Sequence, residues 1–160
     1  MLPQKIEKEL KKSNVWYEVR HHPATMTAEG LAQRENVDGH QVAKVVILRE
    51  KSHYYMMVLP ASYFVDLKEA RRSTGHQNLH FASEEELGRI FPDCELGAMP
   101  PMGHLYNLPV FVERDLTDDT IIEFNAGSHE DAVRMKYQDF QQMEQPQVSH
   151  FSRNWREYLC

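Results

Sequence analysis

Two apolar runs separated by a short polar turn constrain the fold of this chain more than any other feature. The first run is Ala43–Leu48 (AKVVIL), the second is Tyr54–Leu59 (YYMMVL), and Glu50–His53 lies between them. Short apolar runs bounded by turn residues are typical of strands buried on both faces of a sheet. The sequence therefore predicts a β-hairpin in a buried sheet.

Other strand and helix patterns surround this hairpin. Helices are predicted over Leu2–Leu10, after Thr25 or Thr27, and over Asp66–Gly75, Ser83–Phe91 and Tyr137–Met143. Further strands are predicted over Val15–Val19, Leu79–Phe81, Val110–Val112, Thr120–Phe124 and Ala132–Met135. The tail after Pro146 has aromatic and aliphatic residues at helical spacing, which predicts a short amphipathic helix. Strands and helices do not alternate regularly, so we expect an α+β fold whose mixed, mostly antiparallel sheet curls or closes into a barrel flanked by helices.

Length and composition indicate one globular domain over residues 1–160, with residues 146–160 as an aromatic tail of unassigned role. Hydrophobic residues make up 41% and charged residues 26% of the 160, which is near the globular average. The first charges precede any apolar run, and no apolar run is long enough to span a membrane. With only Cys94 and Cys160, a disulfide framework is excluded and a reducing cytoplasm is expected.

The net charge restricts the partners. The 18 basic and 24 acidic residues give −6, which argues against a strong general binder of DNA or RNA, because such affinity comes mostly from neutralising phosphates. A local contact with the end of a strand stays possible, and Lys5, Lys8, Lys12, Arg71 and Arg72 are candidates for it or form ordinary solvated faces.

Lys44 is the first candidate functional residue because it interrupts an apolar strand. A charge there is costly unless it is paired or functional. If side chains alternate, Lys44 faces the opposite side to Ala43 and Val45. It either extends to water at a sheet edge or points into a pocket, where an ammonium group suits an anion or phosphate.

Two small-residue segments are the next candidates. In Gly97–Gly103 (GAMPPMG), two glycines flank a stiff Pro-Pro pair, so the loop is either a rigid connection or a preformed source of N–H groups for an oxyanion. In Asn125–Glu130 (NAGSHE), small residues follow an apolar strand. His129 there is either a surface residue or a group that exchanges protons.

Several kinds of site lack support in the sequence. Cys94 lies between Asp93 and Glu95, and these acids would raise the pKa of its thiol rather than activate it. His76 and His80 belong to no zinc-binding pattern, and no cysteine pair has ligand spacing. Neither a glycine-rich nucleotide-binding motif nor a nucleophile elbow occurs.

Five segments together resemble the YbaK-type aminoacyl-tRNA deacylases, the superfamily that includes the editing domain of bacterial prolyl-tRNA synthetases. In chain order, the segments are His22–Thr25 with Thr27–Glu29, Gln41–Lys44, Leu59–Ala61, Gly97–Pro101 and Gly127–Glu130. Each is weak alone, but five in order at plausible spacings make a specific signal. The resemblance covers roughly residues 21–140.

The resemblance implies hydrolysis of the ester that joins a wrong, small amino acid such as Ala, Cys, Ser or Thr to the 3′ end of a tRNA, without metal or other cofactor. Lys44 would hold the phosphate or ribose end, and the loop beginning at Gly97 would position the carbonyl and the water. The implied substrate-binding residues are Thr25, Ala98, Met99, Pro100, Pro101, Gly103, Gly127, Ser128 and His129. The implied partner is the tRNA acceptor end, with a synthetase as a possible second partner.

Two other functions fit the same residues. The chain could be a binding or regulatory module that holds tRNA or another ligand without turnover, or a hydrolase of a different small ester. Neither the amino acid, the tRNA nor the oligomeric state follows from the sequence.

Overall fold

The computed structural model describes residues 2–22 and 40–155 of the chain. Four α-helices lie in these ranges: α1 (Gln4–Lys12), α2 (Leu67–Thr74), α3 (Glu84–Ile90) and α4 (Tyr137–Glu144). The ten strands there are β1 (Tyr17–His21), β2 (His40–Glu50), β3 (His53–Pro60), β4 (Tyr63–Val65), β5 (His80–Phe81), β6 (Val110–Glu113), β7 (Ile121–Asn125), β8 (Asp131–Lys136), β9 (Gln147–Ser149) and β10 (Ser152–Asn154). No helix in this part of the chain is long and apolar enough to cross a membrane.

The predicted hairpin is confirmed. Strands β2 and β3 pair antiparallel, from Ala43 opposite Pro60 to Glu50 opposite His53. Met56, Met57, Val58 and Leu59 on β3 are buried completely. The hairpin is therefore buried in the sheet, as its two apolar runs predict, and the strand order places it near the centre.

The sheet is mixed and mostly antiparallel, as predicted. Its strand order is β1-β8-β7-β2-β3-β6-β9, and β5 also pairs with β2. Among the strands of the described ranges, only the pairs β2–β7, β3–β6 and β6–β9 are parallel. Within the described ranges the row of strands ends at β1 and β9, so the sheet is open rather than a closed barrel.

Two apolar clusters cover the two faces of β2. Ala43 and Ile47 belong to the larger cluster, which includes the buried face of α1. Leu48 belongs to the second cluster, which includes Ala70 of α2. Since side chains alternate along a strand, Lys44 lies on the same side as Leu48, as the sequence predicted.

Local signals in the sequence explain where two helices begin. The Asp66 side chain accepts hydrogen bonds from the N–H groups of Lys68 and Glu69 at the start of α2. Ser83 and Glu86 form both bonds of a capping box at the start of α3. Such caps satisfy N–H groups that have no partner within the helix.

The predicted helix in the tail is wrong over residues 147–154. Strand β9 pairs with β6, and β10 pairs with β4. Phe151 between them is fully buried, and the buried Glu113 carboxylate accepts hydrogen bonds from the N–H groups of Phe151 and Ser152. Extended pairing therefore satisfies this backbone better than a helix would; residues 156–160 lie outside the described ranges.

Candidate active site

Lys44 lies where β2 meets the end of β7. It is opposite Leu59 in the hairpin, and the parallel pairing of β2 with β7 places Val42 opposite Glu123. This is the last pair between the two strands; two residues beyond it, β2 carries Lys44 and β7 ends at Asn125. The alternation of side chains puts Val42, Lys44, Glu123 and Asn125 on one face.

This face of β7 is polar although it is buried. Glu123 is 1% exposed, and its Oε1 lies 2.5 Å from Nε of Arg134 on β8. A buried carboxylate needs such a partner because removing it from water is costly. The opposite face of β7 carries Ile122 and Phe124, which belong to the larger apolar cluster.

The loop Gly97–Gly103 is hydrogen-bonded to the turn between β7 and β8. The N–H of Gly127 donates to the carbonyl of Ala98 at 2.8 Å. The carbonyl of Gly127 accepts from the N–H of Glu95 at 2.7 Å. Gly127 has φ +97°, a conformation that favours glycine. Two segments that are about 30 residues apart in sequence therefore form one structural unit at the end of β7.

His129 closes the same unit from the other side. Its Nε2 is 2.8 Å from the carbonyl oxygen of Leu96. Because a carbonyl only accepts, the ring donates through Nε2–H, which leaves Nδ1 as the acceptor in the neutral ring. Gly97 has φ +84°, and a Cβ added there would lie 3.5 Å from Cε1 of His129. The imidazole ring thus packs against the exposed tip of the loop.

The loop has an exposed tip and a buried body. Leu96 is 46% exposed, whereas Met99 and Met102 are 6% and 2% exposed and belong to the larger apolar cluster. A Cβ at Gly103 would lie 2.4 Å from Cγ2 of Val110, so this glycine permits close packing. Ala98, Pro100 and Pro101 are buried as well. The body anchors the tip, and contact of these residues with a substrate stays a prediction.

Two backbone N–H groups of the loop, one at its tip and one in its body, have no partner within the described residues. Ala98 donates its N–H to the carbonyl of Glu95. The N–H groups of Gly97 and Met99 form no hydrogen bond with an acceptor in residues 2–22 or 40–155. Backbone N–H groups that have no partner within the protein can stabilise a developing oxyanion.

The hydroxyl of Ser128 is engaged inside the turn. Its Oγ donates to Oδ2 of Asp131 at 2.9 Å and accepts from the N–H groups of Glu130 and Asp131. The buried Asp131 carboxylate also contacts Nδ1 of His21 at 2.6 Å. Ser128 therefore shapes the turn, and a direct role in substrate binding stays a prediction.

The first segment of the family resemblance begins beside this turn. The N–H of His22 donates to the carbonyl of Glu130 at 2.9 Å. Thr25 and the predicted helix after it lie outside the described residues. The Leu59–Ala61 segment flanks β2 on the other side, where Ala61 donates its N–H to the carbonyl of Val42. The described parts of all five segments therefore meet around Lys44 and the end of β7.

Cys94 is close to the loop but is not an activated thiol. Burial raises the pKa of Cys94 to about 11, and Asp93 adds to the increase. The thiol contacts the Tyr106 hydroxyl at 3.5 Å. The sequence-based expectation of an unreactive cysteine is confirmed, since a thiol needs a lowered pKa to act as a nucleophile.

Three of the five candidate basic residues are engaged within the chain. Arg71 donates to the Leu79 carbonyl at 3.0 and 2.8 Å, and Arg72 pairs with Glu69 at 2.7 Å. Lys5 lies 4.2 Å from the ring centroid of Tyr106. Lys8 and Lys12 on α1 are exposed.

A cavity of about 410 Å³ lies away from the candidate site. Tyr54, Ile90, Tyr106 and Leu108 are among its lining residues. It is at the turn end of the β2–β3 hairpin, whereas Lys44 is near the other end. We place the candidate site at Lys44 because the motif segments meet there.

Comparisons with known proteins identify the family of this chain. The model of the aminoacyl-tRNA editing domain family matches residues 22–143. This chain therefore belongs to the aminoacyl-tRNA editing domain family, and the resemblance found in the sequence is confirmed at that level. No curated protein is significantly similar in sequence.

Several solved structures share the fold. A candidate trans-editing enzyme for prolyl-tRNA synthetase superimposes with a TM-score of 0.80 at 21% identity, covering 96% of this chain and 99% of the other. A hypothetical protein gives 0.81 at 16% identity, covering 94% and 100%. A candidate signal transduction protein from Marinobacter aquaeolei VT8 gives 0.75 at 16% identity, covering 95% of this chain and 31% of the other. At these identities the likeness concerns the fold alone.

Sequence analysis did not single out Glu123, Asn125 or Arg134 as buried polar residues of this face. The signal was present in the strand Ile121–Asn125 (IIEFN), where Glu123 and Asn125 alternate with apolar residues. The same alternation drew attention to Lys44. The alternation of polar and apolar residues along β7 would have revealed that a second strand also contributes polar residues to the site.

Proposed function

We propose that this editing domain hydrolyses, in trans, the ester of a mischarged tRNA that carries a small amino acid such as Ala, Cys, Ser or Thr. The observation that carries the proposal is the meeting of Lys44, the loop tip at Gly97 and the His129 turn at the end of β7. Membership of the aminoacyl-tRNA editing domain family supports the reaction class. The YbaK-type subgroup, a prolyl-tRNA synthetase as partner and a cytoplasmic location belong to the same proposal.

The roles follow from the chemistry of the groups. The Lys44 ammonium holds the terminal phosphate or ribose, since a compact cation suits a phosphate. The backbone of Gly97–Pro101 positions the carbonyl, and the N–H groups of Gly97 and Met99 stabilise the oxyanion. Water adds to the carbonyl carbon, the bond to the ribose oxygen breaks, and that oxygen takes up a proton. His129 borders the acyl group and restricts which side chain fits.

A second hydrolytic site of this kind gives selectivity that binding alone does not. One methylene in a synthetase pocket changes the binding free energy by only about 1–3 kcal/mol. A site that admits the wrong amino acid and excludes the right one multiplies that discrimination. The acidic net charge of −6 is compatible with this role, because only the acceptor end has to be bound.

Deacylation of a panel of mischarged tRNAs tests the proposal. The panel contains Ala, Cys, Ser and Thr esters on tRNA(Pro) and on their own tRNAs, each with wild type, Lys44→Ala and Lys136→Ala. Lys136 is exposed and is the last residue of β8, whereas the candidate site lies near the first residues of that strand. It therefore serves as the matched control. We expect wild type and Lys136→Ala to release one or two amino acids and Lys44→Ala to be slower by about 10- to 100-fold, the usual effect of losing a hydrogen bond to a charged group.

Three results would contradict the proposal. Equal rates for wild type and Lys44→Ala would remove the lysine from the mechanism. Stoichiometric tRNA binding without release of any amino acid would favour a binding module. Hydrolysis of simple esters without dependence on tRNA would indicate a hydrolase of another small ester.

A further inference from the structure

Asn125 presents a buried hydrogen-bond acceptor without a donor. The residue ends β7 and is 8% exposed. Its Oδ1 is fully shielded from solvent and accepts no hydrogen bond from any group in residues 2–22 and 40–155. Buried polar side-chain atoms are nearly always paired in folded proteins, so such an exception calls for an explanation.

The surroundings of Asn125 distinguish it from an ordinary buried amide. It lies on the same face as Lys44, because the parallel register of β2 and β7 ends at Val42 opposite Glu123, two residues before each of them. The preceding residue on that face, Glu123, is already paired with Arg134. Gly127, two residues later, is bonded to the loop carbonyl of Ala98. The unpaired acceptor therefore lies at the meeting point of the three motif segments.

We propose that Asn125 is a substrate-binding residue whose carboxamide oxygen accepts a hydrogen bond from a donor next to the ester of the aminoacyl-tRNA. This inference rests on the proposed function. The carbonyl and ester oxygens of the substrate only accept, so the donors beside the ester are the free ribose hydroxyl and the α-ammonium group. A neutral amide oxygen accepts from either donor without neutralising the charge of Lys44.

The chemistry of the strand supports a ligand rather than a structural role. A buried polar side chain with a structural role bonds to a neighbouring strand or loop. The Glu113 carboxylate does so when it accepts from the N–H groups of Phe151 and Ser152. An acceptor left without a partner in the free protein instead gains one when the substrate binds; because Asn125 Oδ1 has no exposed surface in the free protein, binding has to move the carboxamide or the residues that cover it. The acceptor oxygen has then already lost its contact with water on folding. A ligand that donates a hydrogen bond at this point therefore gains free energy, whereas a ligand without a donor does not, and this difference makes the contact selective.

The test compares Asn125→Leu and Asn125→Asp with wild type on the tRNA ester that wild type cleaves fastest. Leucine has the same number and branching of side-chain heavy atoms but no acceptor, whereas aspartate keeps an acceptor oxygen in the same position. We expect kcat/KM to fall by about 10- to 100-fold in Asn125→Leu and by less in Asn125→Asp. The thermal midpoint of Asn125→Leu should be equal to or higher than that of wild type, because an unpaired buried acceptor is removed.

Two substrates identify the donor. In one, the terminal adenosine lacks the vicinal ribose hydroxyl; in the other, an isobutyryl ester replaces the α-ammonium group of alanine with a methyl group. The ratio of wild-type to Asn125→Leu kcat/KM should collapse to about one on the substrate that lacks the relevant donor and stay high on the other.

The possible failures are distinguishable. If wild type deacylates no tRNA, the proposed function itself is wrong. If wild type is active and Asn125→Leu is equally active, only the role of Asn125 is wrong. An equal loss on all three substrates, or a lowered thermal midpoint, would show that Asn125 is structural.

Discussion

The N–H group of Gly127 donates a 2.8 Å hydrogen bond to the carbonyl oxygen of Ala98. This bond joins two motif segments that the sequence places far apart, and it holds the loop tip at Gly97 beside His129. Gly127 also lies under Pro3, whose Cγ would be 2.5 Å from a Cβ at that position. The glycine thus lets the start of α1, the turn and the loop approach one another closely.

Alanine substitutions at three glycines should separate close packing from backbone strain. Gly97→Ala makes only an ordinary contact with Cε1 of His129, at 3.5 Å, but keeps φ +84°, so it should lower the free energy of unfolding by about 1–2 kcal/mol. Gly127→Ala adds the clash with Pro3 and should cost more. Gly88→Ala, in α3 with open space around it, should raise stability by about 0.5–1 kcal/mol. Urea unfolding measures all three, and a Gly97→Ala more destabilising than Gly127→Ala would contradict this account.

Two substitutions at His129 should show whether its bond to Leu96 or its proton exchange matters. His129→Gln keeps an N–H donor that can reach the Leu96 carbonyl, whereas His129→Ala removes it. If His129 positions the loop, deacylation by His129→Ala should fall about 2- to 10-fold, the usual effect of one neutral hydrogen bond, and His129→Gln should stay near wild type. An equal, larger loss in both variants would instead indicate that the imidazole transfers a proton.

Local signals predicted much of the fold because their causes are local. The β2–β3 hairpin follows from two apolar runs and a turn, and the start of α3 follows from Ser83 and Glu86, which lie three residues apart. The order of the five motif segments predicted the family. These features depend on residue patterns that are read within one element.

The remaining features depend on contacts between distant elements. Lys44 and Asn125 lie on one face only because β2 and β7 pair in one parallel register, which no local pattern specifies. The tail follows the same rule: β9 and β10 extend along β6 and β4, and this pairing overrides the helical spacing of Phe151 and Trp155. Burial of Met99 and Met102 likewise depends on how the loop packs on the core.

Glu86 should make the protein lose stability in acid. The Tyr54 hydroxyl, followed by the Ser83 N–H, stabilises the charged carboxylate and lowers the pKa of Glu86 from 4.5 to about 2. A carboxyl with a lowered pKa contributes stability above its unfolded pKa and loses it as the pH falls through the folded value. We expect the thermal midpoint of wild type to decrease as the pH is lowered from 4.5 to 2. Glu86→Gln should have a lower thermal midpoint than wild type at pH 7, and its midpoint should depend less on pH between 4.5 and 2. Glu85→Gln, at an exposed neighbour, is the control, and equal pH profiles for wild type and Glu86→Gln would exclude this role.

Asp119 should have the opposite effect at higher pH. Burial, with a smaller contribution from the charge of Asp118, raises the pKa of Asp119 from 3.8 to about 6, and its buried Oδ2 accepts no hydrogen bond within the described residues. The native state therefore binds more protons than the unfolded state between these values, so stability falls as the pH rises from 3.8 through 6. Asp119→Asn removes this ionisation and should raise the thermal midpoint at pH 7 but not below pH 3.8. Asp118→Asn, at an exposed position, should raise the thermal midpoint less, since it removes only the repulsion between the charges of Asp118 and Asp119. An increase in the midpoint from Asp119→Asn that is the same at pH 7 and below pH 3.8 would contradict the assignment.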